Sequence, residues 1–171
     1  MSPGTSLLSR IGSVATITRR IAARRRRQPV LRVVMANGIF DLLHVGHLRY
    51  LSAAARLGDL LVVAVNDDRS ARRLRGPGRP VTNGRDRALL LAAVRGVDAV
   101  LLFGTDTVAP VIHRLRPEVH CKGTDYTPET VPERDMVLSY GGKVKIVGDQ
   151  KRHATSSLLR KIRRRPRGSR S

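Results

Sequence analysis

Two histidines, His44 and His47, stand three residues apart in the stretch NGIFDLLHVGH, with Gly46 between them and an apolar run just ahead. Imidazoles in this pattern suit three kinds of work: ligating a metal, filling a core, or donating to an anion. A metal site needs at least a third ligand, commonly a cysteine or carboxylate, and the one cysteine, Cys121, stands alone in an apolar stretch. Isolated histidines are most often structural or exposed. Here, however, both follow a glycine-bearing turn and open a helical pattern, and the backbone N–H groups at a helix start already attract anions. Imidazole donors added at the same spot make a phosphate site the best reading. The turn Gly38-Ile39-Phe40, entered from Asn37, brings further N–H groups towards such a phosphate. Asp41 either serves that site or caps the turn through its own backbone. At the other end of the chain, Thr155 and Ser156 open the last helical pattern, where hydroxyl and N–H donors could hold another phosphate oxygen, although one of them is equally well an N-cap.

The elements that must position these residues are legible from periodicity. Short β-branched runs at 30–36, 60–65, 99–103, 118–123 and 143–147 read as buried strands. Between them lie helical patterns. In GHLRYLSAAARLG, Leu48, Leu51, Ala54 and Ala55 share one stripe and Gly58 ends it, and RDRALLLAAVRG behaves likewise. TVAPVIHRLRP reads as a short helix opening near Pro110, residues 132–140 as another before Gly141-Gly142, and TSSLLRKIRR as the last. The segment 66–84, with GPGRP and Asn83-Gly84, reads as a loop. Strands alternating with helices imply an α/β, Rossmann-like fold: one open, mostly parallel five-stranded sheet with helices on both faces, in a single domain. Ligands of such sheets bind beyond the C-terminal strand ends. The stretches 37–47, 66–79, 122–126 and 152–156 all fall there and should converge on one cleft.

The net charge of +20, from 33 basic and 13 acidic residues, invites a nucleic-acid reading. Its location argues otherwise. Residues 1–32 hold 8 arginines and no acid, and residues 151–171 hold 9 basic residues and no acid, leaving 16 basic against 13 acidic in between. The chain therefore divides into a disordered basic N-terminal extension at 1–28, a globular domain at 29–162 and a basic tail at 163–171. On this division the extension is dispensable for the fold. Weak, salt-sensitive contact with polyanions fits such tails, whereas a specific nucleic-acid module needs a basic stripe on the folded surface. No apolar run approaches the roughly 18 residues that cross a bilayer. A single cysteine makes no internal disulfide, so the expected compartment is the reducing cytoplasm. The Arg-rich leader leaves organelle targeting as the alternative.

Five blocks then carry a family resemblance: NGIFDLLHVGH, LRGPGRPV, DRALLLAAVRGVD, RPEVHCKGTDYTPE and GGKVKIVGDQKRHATSSLL. Together they resemble the nucleotidyltransferases that share a His-x-Gly-His motif, and within them the heptose 1-phosphate adenylyltransferases. The likeness runs from about residue 30 to about 162, which makes 29–162 a nucleotidyltransferase domain. It implies transfer of AMP from ATP, accompanied by Mg²⁺, to a sugar 1-phosphate, with release of pyrophosphate. His44, His47 and Arg75 would be catalytic. Asn37, Gly38, Ile39, Phe40, Asp41, Gly46, Lys122, Gly123, Asp125, Thr155 and Ser156 would bind the nucleotide, and Arg79 and Arg87 the acceptor. The chain departs from the family at Arg75, where lysine is usual, and at Ala154, where serine is common, with Arg152 and His153 beside it. A cytidylyltransferase acting with CTP on glycerol 3-phosphate or another polyol phosphate shares the same motif and is the nearest alternative; a noncatalytic nucleic-acid binder acting through its tails is a further one. The resemblance also implies a separate sugar kinase upstream and, by analogy, a homodimer.

Overall fold

The computed structural model describes residues 7–148. After a 3-10 turn (Leu7–Arg10) the chain forms a two-residue strand β1 (Ile11–Gly12) and helix α1 (Val14–Arg27). It then runs through β2 (Val33–Gly38), α2 (Val45–Ala55), β3 (Leu60–Asn66), α3 (Asp68–Arg75), α4 (Gly84–Ala92) and β4 (Ala99–Phe103). It continues through α5 (Ala109–Leu115), β5 (Val119–Lys122), α6 (Arg134–Ser139) and β6 (Lys143–Ile146).

All strand pairs are parallel, in the order β1-β4-β3-β2-β5-β6. From β2 the chain winds outward one way through β3 and β4, then returns to lay β5 on the other side. The order reverses between β2 and β5, and that seam is where an open parallel sheet leaves a crevice beyond its strand ends. Met35 pairs there with His120 and Ala36 with Cys121.

Period-two alternation sends each central strand's side chains to two separate cores. Val33, Met35, Val62, Ala64, Leu101 and Phe103 pack under α1, α5 and α6. Val34, Ala36, Val63, Val65, Val100 and Cys121 pack under α2 and α4. Because both faces are covered, β3 is buried at every residue, which is why it reads as a continuous apolar run. The edge strand β6 alternates between exposed and half-buried instead.

Three expectations need correction. The sheet has six strands, not five, because Ile11 and Gly12 pair with Val100 and Leu101. Nor does the segment 1–28 stand outside the domain as a disordered extension, since from Leu7 onward it is folded. Ser13 caps α1 by accepting from the N–H of Thr16 at 3.1 Å, and Ile17 and Ile21, one turn apart, enter the core. Arg25 donates to Glu118 at 2.7 Å, whose other oxygen accepts from the N–H of Val33 at 2.7 Å. Arginine masks this helix in composition, because long stems lie along the protein while the charged heads reach water. Lastly, 66–84 is not all loop. Asp67 caps α3 through the N–H of Ser70 at 2.8 Å, and Asn83 caps α4 through the N–H of Asp86 at 2.9 Å. Within α2 the buried stripe is Tyr50, Leu51 and Ala54, while Leu48 is exposed.

No helix among the described residues is long and apolar enough to cross a membrane. The expected last helix and the C-terminal tail lie outside the described residues.

Ile21→Ala should lower the stability of the chain by about 2–5 kcal/mol, the usual cost of truncating a buried isoleucine. Removal of residues 1–28 should abolish a cooperative thermal transition. A truncated chain that melts like the full one would return this segment to the class of dispensable tails.

Candidate active site

The turn after β2 is tight. Phe40 sits in the left-handed region at φ 51° and its ring is buried in the core under α2. That ring lies so close to Gly38 that an added Cβ would meet it at 3.2 Å, so the position calls for glycine. His44 is the N-cap residue of α2, in extended backbone, and its carbonyl accepts from the N–H of His47 at 2.9 Å. The two imidazoles stack with centroids 3.8 Å apart, and Phe40 meets His47 edge-on at 5.2 Å. The histidines therefore lie side by side at a helix start, beside the first-turn N–H groups that helix geometry leaves without intrahelical acceptors.

Across the seam, β5 ends at Lys122, just before Gly123, and two bridges tie α2 and β2 to it. On the α2 face, Tyr50 donates its hydroxyl to the carbonyl of Cys121 at 2.7 Å; burial holds its phenol well above the usual range and pushes the Cys121 thiol up to about 12. On the other face, His120 Nε2 and Asn37 Oδ1 are 3.1 Å apart. Burial, and then the nearby Lys122 charge, pushes His120 down to about 3, so the ring is neutral at physiological pH. A neutral ring that donates from Nε2 to the Asn37 oxygen leaves Nδ1 as an acceptor, and that atom is buried without a hydrogen-bond partner.

The remaining expected site residues divide. Asp41 neither caps its own turn nor stands open to a ligand. One carboxylate oxygen accepts from Arg79 at 2.6 Å and the other from the N–H groups of Val81 and Thr82 at 2.6 and 3.1 Å. Arg79 is thereby held against the turn. Arg87, expected to bind the acceptor, does not reach the surface at all: its side chain is 0% exposed. Its guanidinium donates to the carbonyls of Ile39, Asn66 at 2.8 Å and Thr82 at 2.9 Å, and to Asp68 at 2.7 Å. Arg87 is a structural tie that fixes the turn after β2. Arg75 ends α3, exposed and without a hydrogen-bond or ion-pair partner among the described residues, whereas neighbouring Arg73 is held by Asp106 at 2.7 Å. Asp125 lies in the exposed loop after Gly123. Thr155 and Ser156 lie outside the described residues.

Sequence reasoning did not pick out His120, Tyr50 or Glu133. Glu133 is buried at the start of α6 and pairs with Lys122 at 3.4 Å. The available signal was phase: His120 and Lys122 alternate with Cys121 along β5 and so share the face opposite it.

A histidine pair at a helix start beside the switch point of a parallel sheet places the chain among open α/β proteins whose crevice lies beyond the strand ends. A model of the cytidylyltransferase-like family matches residues 35–164, and the chain belongs to that family. It is 46% identical over 156 residues to the D-beta-D-heptose 1-phosphate adenylyltransferase of Bordetella bronchiseptica, covering 91% of this chain and 94% of that protein. It is 49% identical over 130 residues to the bifunctional protein HldE of Syntrophotalea carbinolica, covering 76% of this chain but only 26% of the relative; the chain spans about a quarter of the length of such bifunctional relatives. Among solved structures, the lipopolysaccharide core biosynthesis protein from Thermoplasma volcanium is similar at a TM-score of 0.57 and 31% identity, over 68% of this chain and 94% of that one.

Arg87→Lys should destabilise the fold, because an ammonium cannot reach acceptors on four segments at once. Losing one member of a buried charged network costs about 3–5 kcal/mol, or roughly 10 °C in a chain of this size. A variant of unaltered melting temperature but weakened acceptor binding would restore Arg87 to the ligand.

Proposed function

We propose that this chain is an adenylyltransferase that transfers AMP from ATP to heptose 1-phosphate, giving an ADP-sugar and pyrophosphate. The observation that carries the reading is the stacked His44–His47 pair at the start of α2, beside the β2/β5 seam. The choice of heptose 1-phosphate as acceptor rests on the similarity to the Bordetella enzyme, which extends over nearly all of both chains.

In the reaction an oxygen of the sugar phosphate forms a bond to the α-phosphorus of ATP while the bond to the β-phosphate oxygen breaks and pyrophosphate leaves. Such a step asks for alignment and for donors aimed at developing negative charge. His44 and His47, with the N–H groups of the first turn of α2, supply those donors to the triphosphate. Gly38 leaves room for the Phe40 ring beneath the β2 turn, and the Arg87 bond to the carbonyl of Ile39 fixes the turn's orientation. Arg75, without a competing partner among the described residues, is available to close over the phosphates in place of the family's usual lysine. Thr155 and Ser156 are assigned to the phosphates on sequence grounds.

No group of three His, Cys, Asp or Glu residues suited to a metal occurs among the described residues. The family resemblance implies a Mg²⁺ that would accompany the triphosphate. When bound, it neutralises charge on the departing pyrophosphate. A sugar kinase must supply the acceptor, and ATP as donor suits the cytoplasm.

Pyrophosphate release measured with ATP, CTP, GTP and UTP against sugar and polyol phosphates tests the assignment. The expected maximum is ATP with heptose 1-phosphate; a maximum with CTP and glycerol 3-phosphate would overturn it. His44→Ala and His47→Ala should each lower kcat by roughly 10²–10³, the usual cost of losing one such donor, with little change in melting temperature. Near-normal turnover in a folded double variant would remove the histidines from the reaction. Arg75→Ala should reduce turnover more than Arg72→Ala or Arg73→Ala, and Arg75→Lys should retain part of it. Equal, small losses from all three alanine variants would make Arg75 an ordinary surface charge.

A further inference from the structure

The end of β5 holds a charge pair whose geometry is unusual for a purely structural contact. Lys122 and Glu133 have side chains 9% and 7% exposed, yet their Nζ and Oε2 atoms are 3.4 Å apart. A tight ammonium–carboxylate contact is about 2.7–2.9 Å. Glu133 Oε2 has no hydrogen-bond partner although it is buried. Lys122 has three donors, and its contacts among the described residues are this pair and the Tyr126 ring, whose centre is 5.1 Å from Nζ. Desolvating two charges is costly, and a loose pair recovers little of that cost. As a contribution to the stability of the fold the pair is poor. As a way of keeping an ammonium ionised with donors to spare, beside a ligand crevice, it is well arranged.

We propose that Glu133 is a positioning residue for the transfer reaction: its carboxylate holds the Lys122 ammonium at the β5 end of the seam, where that ammonium binds the nucleotide. The inference rests on the adenylyltransferase reading and adds to it the residue that sets where Lys122 stands. The loop between them returns from Gly123 to Glu133 through seven consecutive exposed residues, 124–130, and Tyr126 within it covers the ammonium. Glu133, at the start of α6, holds the lysine from the other end of that loop. The groups facing Lys122 are Glu133 from α6, Tyr126 from the loop and neutral His120 from its own strand. Burial lowers the Lys122 pKa and the Glu133 charge raises it, so Glu133 opposes loss of the proton.

The test compares Glu133→Gln, Glu133→Asp, Lys122→Ala and the Lys122→Ala/Glu133→Gln double variant in the full chain. Glu133→Gln should raise KM for ATP roughly tenfold or more, the scale of one charge-assisted hydrogen bond, with kcat less affected. Its alkaline limb in kcat/KM should move to lower pH, because the carboxylate that sustains the ammonium is gone. Glu133→Asp should recover much of the loss, and the double variant should bind ATP no worse than Lys122→Ala alone. Losses that add in the double variant, or a lowered melting temperature with KM and pH profile unchanged, would overturn the proposal and leave a structural pair. Calorimetric ATP affinity separates this from the reaction itself. If the wild-type chain releases no pyrophosphate from ATP and heptose 1-phosphate, yet Glu133→Gln weakens ATP binding as Lys122→Ala does, only the functional reading fails. If ATP binds all variants alike, or does not bind the wild type, the positioning role fails.

Discussion

The Arg87 guanidinium is the constraint on which the site depends. It lies fully buried under the turn that follows β2 and donates to Ile39 in that turn, Asn66 at the end of β3, Asp68 at the start of α3 and Thr82 in the loop before α4. The buried guanidinium itself would otherwise carry unmet donors, and leaving a buried polar group unpaired costs more than an ordinary bond gains. The charge is matched by Asp68 and the planar fork spreads its donors, which a lysine could not do. Asp41 completes the tie from the other side by holding Arg79 and the N–H groups of Val81 and Thr82. The turn after β2 is thus clamped by Arg87 and Asp41 together.

With the turn fixed, the seam between β2 and β5 becomes a defined mouth. Tyr50 anchors α2 to β5 on one face and the His120–Asn37 contact joins the strands on the other. The first of these also sets the height of α2, and with it the two histidines at its start. Rigid elements on both sides suit a reaction that needs two phosphates aligned rather than a side chain made reactive. The end of α3 bearing Arg75 follows β3 and the loop carrying Tyr126 follows β5, and both are exposed.

Much of this was legible in the sequence, and the parts that were not have definite causes. The four central strands and the histidine-bearing helix follow from periodicity, because burial on two faces forces apolar runs and a helix start follows Gly38. The role of α1 was hidden by composition: six arginines in fourteen residues read as a tail, and only Ile17 and Ile21 at one-turn spacing carry the contrary signal. Helix α3 was absorbed into a loop by the glycines and prolines after it, although Asp67 three residues before Ser70 is a capping pattern. The family resemblance assigns Arg87 to the acceptor, yet it shares a helical stripe with Ala88, Leu91 and Ala92, all buried. The Lys122–Glu133 pair joins residues separated by a loop, and no local pattern announces such a contact.

The central claim is direct transfer between two aligned phosphates, with the protein supplying donors and no covalent link to the nucleotide. The stereochemical course at the α-phosphorus tests it most directly, using ATP made chiral there by sulfur substitution and heptose 1-phosphate as acceptor. The account predicts inversion of configuration in the ADP-sugar, the outcome of a single in-line displacement. Retention would signal two successive displacements through a nucleotidyl–protein intermediate and would contradict it.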